Sequence, residues 1–193
     1  MAHWSNTARV RSSLEQDSLD RVQLVRQAQY GDRAAFLALV KEYDRLVIRL
    51  ALGMTQSETE AQRIHQEVFL RAFKGLPALE HGTSLFIWIC RLAVKVCIEH
   101  RRKREAAGNV SRPELRLVSR DLSAAQQAFA HRVGHALDRL STRERLVFEL
   151  RHYHSIKLAT VAEILEISEG SVADALTSAT QKLRAATSPN SYS

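Results

Sequence analysis

Apolar residues recur every three or four positions along nearly the whole chain, which is the period of an amphipathic helix and not of a strand. Only three prolines and seven glycines interrupt this pattern. The pattern therefore predicts an all-α protein. Its longest stripe comprises Phe36, Leu39, Val40, Tyr43, Val47 and Leu50.

Capping residues and glycines set the predicted helix ends in the first half of the chain. Gly31 and Asp32 are expected to end a helix over about 18–30 and to cap the next one. "SETE" at Ser57 to Glu60 has the form of a capping box, in which two side chains satisfy backbone N–H groups at a helix start. The helix that it opens is expected to bury Ala61, Ile64, Val68, Ala72 and Phe73.

Weak periodicity and turn-forming residues between 105 and 121 predict a flexible linker that joins two small helical domains. Before it, a helix is expected to run from about Thr83 or Ser84 into a basic segment. After it, "STRE" at Ser141 to Glu144 is a second capping-box pattern. The predicted order is a flexible N-terminus, a first domain, the linker, a second domain and a frayed tail, over residues 1–17, 18–104, 105–121, 122–186 and 187–193.

The second domain contains two short helical patterns separated by the three-residue turn "EIS". Their apolar positions follow the interior pattern of a helix-turn-helix, which would extend from Leu158 to Thr177. Any three-helix bundle can contain such a pair of helices, so the spacing alone leaves both interpretations open.

Positive charge is concentrated in the first domain. The chain of 193 residues carries a formal net charge of +7, which favours a polyanionic partner. Six Lys or Arg residues stand between Cys90 and Glu105 against two acids, whereas Asp138 to Arg184 holds seven of each sign. Strong electrostatic binding to nucleic acid is therefore expected from the first domain.

Membrane and disulfide signals are weak in this sequence. Its apolar runs are too short to span a bilayer, and its first residues lack the apolar centre of a secretory signal. A cytoplasmic protein without membrane insertion is therefore expected. Cys90 and Cys97 lie two helical turns apart, too far for a disulfide, and are expected as free thiols.

Residue types found in catalytic and metal sites are present without the required arrangement. Cys97 and His100 are one turn apart and Cys90 is on a nearby face, but a metal site needs a further well-placed ligand. His152 and His154 lack an evident acid or nucleophile partner and are expected at the surface. The sequence therefore predicts no enzyme activity, no metal and no cofactor.

Two parts of the sequence carry a family resemblance. The first is "AQRIHQEVFLRAFKGL" followed by "SLFIWICRLAVKVCIEHRRKR". The second is "LSTRERLVFELRHYHSIKLATVAEILEISEGSVADALTSATQKLR". They resemble the second and fourth conserved regions of the extracytoplasmic-function sigma factors, the small two-domain initiation subunits of bacterial RNA polymerase. The resemblance extends from about Val22 to Ala185. It implies a protein that joins core polymerase, recognises promoters and helps to open DNA, with an anti-sigma factor as a further partner.

The resemblance implies that the helix following "SETE" binds the largest subunit of the polymerase through its outer face. Without the resemblance, a merely solvated helix face would be the preferred interpretation. The family commonly has acids just before its Gln-Glu pair, where this chain has Gln62 and Arg63, so one contact with the polymerase reverses its sign. The candidate residues are Arg63, Gln66, Glu67 and Leu70.

For the next helix the resemblance implies contact with the start-proximal, minus-ten promoter element. There, cations hold phosphates while a base of the non-template strand is turned out of the duplex. Many relatives have Asn at the position of Lys95, so their base preference does not carry over. The alternative interpretation is a generic basic helix end. The candidate residues are Arg91, Lys95, Arg101, Arg102, Lys103 and Arg104.

For the helix after the turn the resemblance implies contact with the upstream, minus-thirty-five element in the major groove, although the cations usual there are absent. Glu166 stands where the turn usually has glycine, and a left-handed backbone there would store about 1 kcal/mol of strain. The candidate residues are Ser171, Asp174, Thr177, Ser178 and Gln181.

Two hypotheses follow for the whole chain. One is a working sigma factor with a weak or divergent upstream contact. The other is a sigma-like decoy or anti-sigma partner whose second domain binds protein and does not read DNA. The basic helix of the first domain favours the former, and the neutral second domain favours the latter.

Overall fold

The computed structural model describes residues 21–80, 82–107 and 123–187, and every regular element within them is helical, as predicted. Turns of 3-10 and π type follow α3 and α6 over Leu76–Ala78 and Glu149–Tyr153. The predicted N-terminal segment, the tail beyond 187 and the linker from 108 to 121 lie outside the described residues. The helices are α1 (21–29), α2 (Arg33–Thr55), α3 (Glu58–Gly75), α4 (Leu85–Ala106), α5 (Ala124–Asp138), α6 (Thr142–Phe148), α7 (Leu158–Leu165) and α8 (Glu169–Thr187).

Side-chain caps begin the helices of the first domain, which comprises α1 to α4. Asp32 accepts hydrogen bonds from the first backbone N–H groups of α2, and Ser84 accepts one at the start of α4. Ser57 caps α3, but the box predicted there is only half formed. The carboxylate of Glu60 pairs with Arg63 at 2.9 Å and does not return to the backbone of Ser57.

Complete capping boxes begin the first two helices of the second domain, which comprises α5 to α8. At α6, Ser141 accepts from the backbone of Glu144 at 3.2 Å, and Glu144 accepts from the backbone of Ser141 at 2.7 Å. Ser123 and Gln126 form the same arrangement at α5, where no capping box was predicted. Both boxes satisfy N–H groups that have no partner within their helix.

The buried stripe of α3 differs from the prediction at one aromatic residue. Phe69 is 9% exposed and belongs to the core, whereas Phe73 is 46% exposed. The ring of Phe73 packs edge-on against Phe36 of α2, with 5.1 Å between the ring centroids. Phe73 therefore lies at the rim of the α2–α3 contact, so its predicted burial was wrong.

One continuous hydrophobic core runs through both domains. Within the first domain α2, α3 and α4 pack on one another, and α8 packs on the other three helices of the second. Between the domains, α7 packs on α4 and the π-helical turn packs on α2. Val147, Val161 and Val172 of the second domain thus share a core with Val47 and Leu50 of α2.

Both cysteines are free thiols buried in α4, as predicted. Burial raises the pKa of Cys90 and of Cys97 to about 12, which keeps them protonated. His152 is exposed, and His154 is half-buried, with an Nε2 atom that is buried and finds no hydrogen-bond partner among the described residues. Burial, aided by the charge of Arg49, lowers the pKa of His154.

The described residues contain neither a membrane-spanning helix nor a cluster of metal-binding side chains. None of their helices combines the length and the apolar character needed to cross a membrane. Within the same residues, His, Cys, Asp and Glu do not come together in any group of three that could hold a metal ion.

Candidate functional site

The outer face of α3 presents apolar side chains between polar ones. Leu70 is 54% exposed, and Phe73 lies beside it one turn further along the helix. Gln66 is exposed, and Arg63 is exposed and, among the described residues, pairs with Glu60 of its own helix. We call Arg63, Gln66, Glu67, Leu70 and Phe73 the α3 face.

Glu67 is the member of the α3 face that polar contacts hold in place. Its carboxylate accepts hydrogen bonds from Arg71 and from His100, the latter at 2.7 Å. Arg71 also donates to Glu99 of α4 at 2.6 Å. The hydrogen bond from His100, together with those from Arg71, outweighs burial and lowers the pKa of Glu67. This network fixes Glu67 as a carboxylate that braces α3 against α4.

A groove of about 800 Å³ separates the basic side of α4 from α6 and α7. Its apolar lining includes Val94 of α4 and Ile164 of α7. Arg143 of α6 also lines the groove, a position that no periodicity or charge cluster in the sequence indicated. Four of the six predicted minus-ten residues line it, namely Arg91, Lys95, Arg101 and Arg102.

The predicted minus-ten residues differ in how available their charges are. Lys95, Arg102 and Lys103 are exposed, and Arg104 is half-buried. Arg101 is 23% exposed and donates its Nε–H to Glu105 one turn further along α4, at 2.9 Å. Exposed charges at a helix surface can bind phosphate without first breaking an internal contact.

Arg91 is engaged by the second domain. Its Nη2 donates to the carbonyl oxygen of Glu163 at 2.9 Å, and its Nη1 lies 3.6 Å from the carboxylate of Glu166. Its Nε is buried and has no hydrogen-bond partner among the described residues. The carbonyl of Glu163 is one of the last four of α7, which lack partners within the helix and carry partial negative charge.

Three of the predicted minus-thirty-five residues are exposed on α8, namely Asp174, Thr177 and Gln181. Ser171 is half-buried and shares a hydrogen bond of 2.9 Å with Ser168, the residue before the helix. From Glu169 to Gln181 the sequence has no Lys or Arg, so this stretch of the helix offers no cation to DNA.

The fifth of these residues, Ser178, faces α6. Its hydroxyl donates to Glu144 at 2.5 Å, and Lys182 donates to both oxygens of the same carboxylate at 2.8 Å. Burial would raise the pKa of Glu144, but hydrogen bonds from Lys182, Ser178 and Ser141 lower it to about 2. The sequence predicted the capping role of Glu144 but not this bridge to α8.

The left-handed turn considered at Glu166 is present. Its backbone has φ 56° and ψ 43°, and its N–H bonds the carbonyl of Ala162 to end α7. Glycine would adopt this conformation without the steric cost that a side chain adds.

The described domains coincide with two regions of a known family. The description "Sigma-70 region 2" matches residues 39–107, and "Sigma-70, region 4" matches residues 136–185. The first match contains α3 and α4, and the second contains α6, α7 and nearly all of α8.

Relatives with these regions are similar over most of their own lengths. The RNA polymerase sigma-H factor of Pseudomonas aeruginosa is 23% identical over 163 residues, which are 78% of this chain and 84% of the relative. The ECF RNA polymerase sigma factor SigW of Bacillus subtilis is 26% identical over 168 residues, covering 77% and 86%. SigM of Mycobacterium tuberculosis is 25% identical over 142 residues, covering 74% and 71%.

Two solved structures share the fold. CnrH in complex with the cytosolic domain of CnrY has a TM-score of 0.66 at 21% identity, covering 85% of this chain and 94% of that one. The sigma factor RpoE in complex with the anti-sigma factor NepR, from Bartonella quintana, has a TM-score of 0.62 at 17% identity, covering 80% and 98%.

Proposed function

Because the chain belongs to the extracytoplasmic-function sigma factors of bacterial RNA polymerase, we propose that its two domains divide the work of an initiation factor. The first domain binds core polymerase through the α3 face and minus-ten DNA through α4. The second domain supplies the helix-turn-helix. Sigma factors are in general non-catalytic, and this role needs no metal, no cofactor and no covalent chemistry of its own. It places the protein in the cytoplasm, where the polymerase acts.

The α3 face supports the polymerase contact through Leu70 and Phe73. Exposed apolar side chains that adjoin one another are typical of protein interaction sites. The Glu67 network supports this face from behind, so little conformational entropy would be lost when it binds a partner.

The observation that carries the DNA contact is the gathering of Arg91, Lys95, Arg101 and Arg102 along one groove. Each phosphate neutralised by such a cation releases counterions, so binding should weaken steeply as salt rises. Lys95 and Arg102 on this side of α4 are exposed cations, the kind of side chain that holds a nucleic-acid backbone.

A run-off transcription assay with purified bacterial core polymerase and genomic DNA fragments tests this function. We expect initiation with the unaltered chain and its loss with Leu70→Lys. Val22→Lys is the matched control, because Val22 is similarly exposed, at 53%, but lies on α1. Equal activity of both variants would contradict the polymerase contact, and no initiation by the unaltered chain on any fragment would contradict the function.

A second candidate role is favoured by the outer surface of α8, which carries the acids Glu169 and Asp174 and no cation before Lys182. In this role the second domain docks on protein, as a decoy or as the partner of an anti-sigma factor. Both similar structures named above were solved with a bound partner. Footprinting distinguishes the two roles. Protection of upstream DNA by the unaltered chain supports recognition of the minus-thirty-five element by α8. Protection only by the Asp174→Arg variant supports a second domain that binds protein.

A further inference from the structure

Gly53 stands in α2, two residues before the helix ends, where glycine is a poor choice on propensity alone. Glycine destabilises a helix interior relative to alanine. The three nearest atoms to a Cβ placed there would be Cδ, Oε1 and Oε2 of Glu149, all closer than 3.0 Å. Any side chain at this position would therefore displace a carboxyl group of the second domain.

Arg145 of α6, four residues before Glu149, also contacts Gly53. Its Nε donates to the carbonyl oxygen of Gly53 at 2.7 Å. That carbonyl belongs to the last turn of α2 and has no helical partner of its own. Arg145 and Glu149 are each 3% exposed, and Gln56, the residue after α2, adds a hydrogen bond of 3.2 Å to Asp138.

At a second contact between the domains, α7 packs on α4 and engages Arg91. The guanidinium that would otherwise face phosphate donates instead to Glu163 and lies beside Glu166. A phosphate can take the place of the Glu163 carbonyl only when Arg91 is released from α7.

We propose that Gly53, Arg145 and Glu149 form a latch that holds the free chain closed, with Arg91 engaged by the second domain, and that promoter binding requires the latch to open. This inference rests on the proposed function, because only a DNA-binding α4 makes the closure inhibitory. The latch is reversible because burying Arg145 and Glu149 removes both side chains from water. When the domains separate, the two side chains are hydrated again, and this offsets part of the free energy lost on opening.

The test begins with the shape of the full chain in solution. A compact chain of this length has a radius of gyration of about 16 Å. Small-angle X-ray scattering should show a radius several ångström larger for Gly53→Ala than for the unaltered chain. Gly170→Ala is the matched control, since a Cβ there meets only Ser168 Oγ, at an ordinary 3.9 Å.

A double-mutant cycle assigns the effect to the latch and protects the test against simple misfolding. In a Glu149→Ala background, Gly53→Ala should leave the radius unchanged and raise the melting temperature, because the obstructing carboxyl is gone and alanine favours the helix. An unchanged radius for Gly53→Ala alone would overturn the latch. So would an expansion of the same size in both backgrounds.

DNA binding then separates closure from inhibition. The probe is a fluorescein-labelled 20-nucleotide oligothymidine, followed by fluorescence anisotropy at low salt. We expect Gly53→Ala to bind at least about fivefold tighter than the unaltered chain, and Arg91→Ala to remove this gain. Expansion without tighter binding would overturn the inhibitory role. Tighter binding by a chain that never initiates with core polymerase would instead count against the proposed function and leave the latch standing.

Discussion

The carboxyl group of Glu149 lies against the α-carbon of Gly53, so a charged residue of one domain fills the space that the other domain leaves by lacking a side chain. Arg145 of α6, one turn before Glu149, donates a hydrogen bond to the carbonyl oxygen of the same glycine. Both charged side chains are buried, which makes the contact between the domains sensitive to protonation.

Stability should fall as pH rises through neutrality, and Glu149 should be the cause. Burial raises its pKa to about 7, against the opposing charge of Arg145. A carboxyl with a raised folded pKa stabilises below its unfolded pKa, 4.5, and this contribution is lost as pH rises through 7. Urea unfolding should therefore show a loss of roughly 3 kcal/mol between pH 5 and 8 that Glu149→Gln lacks.

Several other titratable or charged groups lie near Glu149 and are unchanged in the Glu149→Gln variant. Arg145 is the facing cation, with Asp138 and Arg101 acting on Arg145 in turn, and Cys97 of α4 lies within electrostatic range. All of these remain in Glu149→Gln, so the difference between the two proteins isolates Glu149. A difference that is constant from pH 5 to 8 would show that this carboxyl does not titrate there.

Glu144 should stabilise the second domain with the opposite pH dependence. Its pKa is lowered to about 2, so its contribution is complete above the unfolded value of 4.5 and is lost as pH falls toward 2. Glu144→Gln should cost about 1–3 kcal/mol at pH 7, since Lys182 loses its charged partner. Urea unfolding measures this cost. Glu169→Gln, at the exposed start of α8, is the control and should change stability by less than about 1 kcal/mol.

Glu166→Gly should stabilise the helix-turn-helix. Its left-handed backbone costs about 1 kcal/mol with a side chain, and its ion pair with Arg91 is too exposed to offset this fully. Glu163→Gly, the same change three residues earlier inside α7, should destabilise by about 1 kcal/mol. Thermal unfolding of the two variants should therefore shift in opposite directions. A shift of the same sign would refute the strain at Glu166.

Arg63→Glu should strengthen binding to core polymerase. The family resemblance implies an acid at this part of the α3 face, and Arg63 is held only by an exposed pair with Glu60, which is worth little. Affinity for core polymerase, measured by biolayer interferometry, should be highest with Glu at position 63, lower with Gln and lowest with Arg. An affinity that does not follow this order would indicate that residue 63 lies outside the polymerase contact.

Local signals in the sequence account for the helices and most of their starts. The caps at Asp32, Ser84 and Ser141 follow from hydroxyl and carboxylate residues that precede apolar repeats. The same signal was incomplete at Ser57, because Glu60 had a competing partner in Arg63. Phe73 was wrongly predicted as buried, because both Phe69 and Phe73 lie within one helical turn of the stripe and only the packing of α2 decides between them.

The contact between the domains could not be predicted from periodicity. Gly53 and Glu149 are far apart in sequence, and each alone has an ordinary interpretation, a weak helix position and a surface acid. Their pairing depends on where α6 lies relative to α2, which is a property of the packed chain. The cluster of cations on α4 was predicted from composition, but the engagement of Arg91 by α7 was not.

The single core shared by both domains also bears on how long the protein would survive in a cell. Small domains bury a smaller fraction of their surface than large ones and are correspondingly less stable. Two domains that share a core bury a larger fraction of their surface than either would alone, which makes both more stable. Separating them exposes apolar residues of α4 and α7 to water. A separated chain without a partner would be cleaved by proteases faster, since cleavage follows the population of open states. Closure would thus link the abundance of the protein to whether its surfaces are occupied.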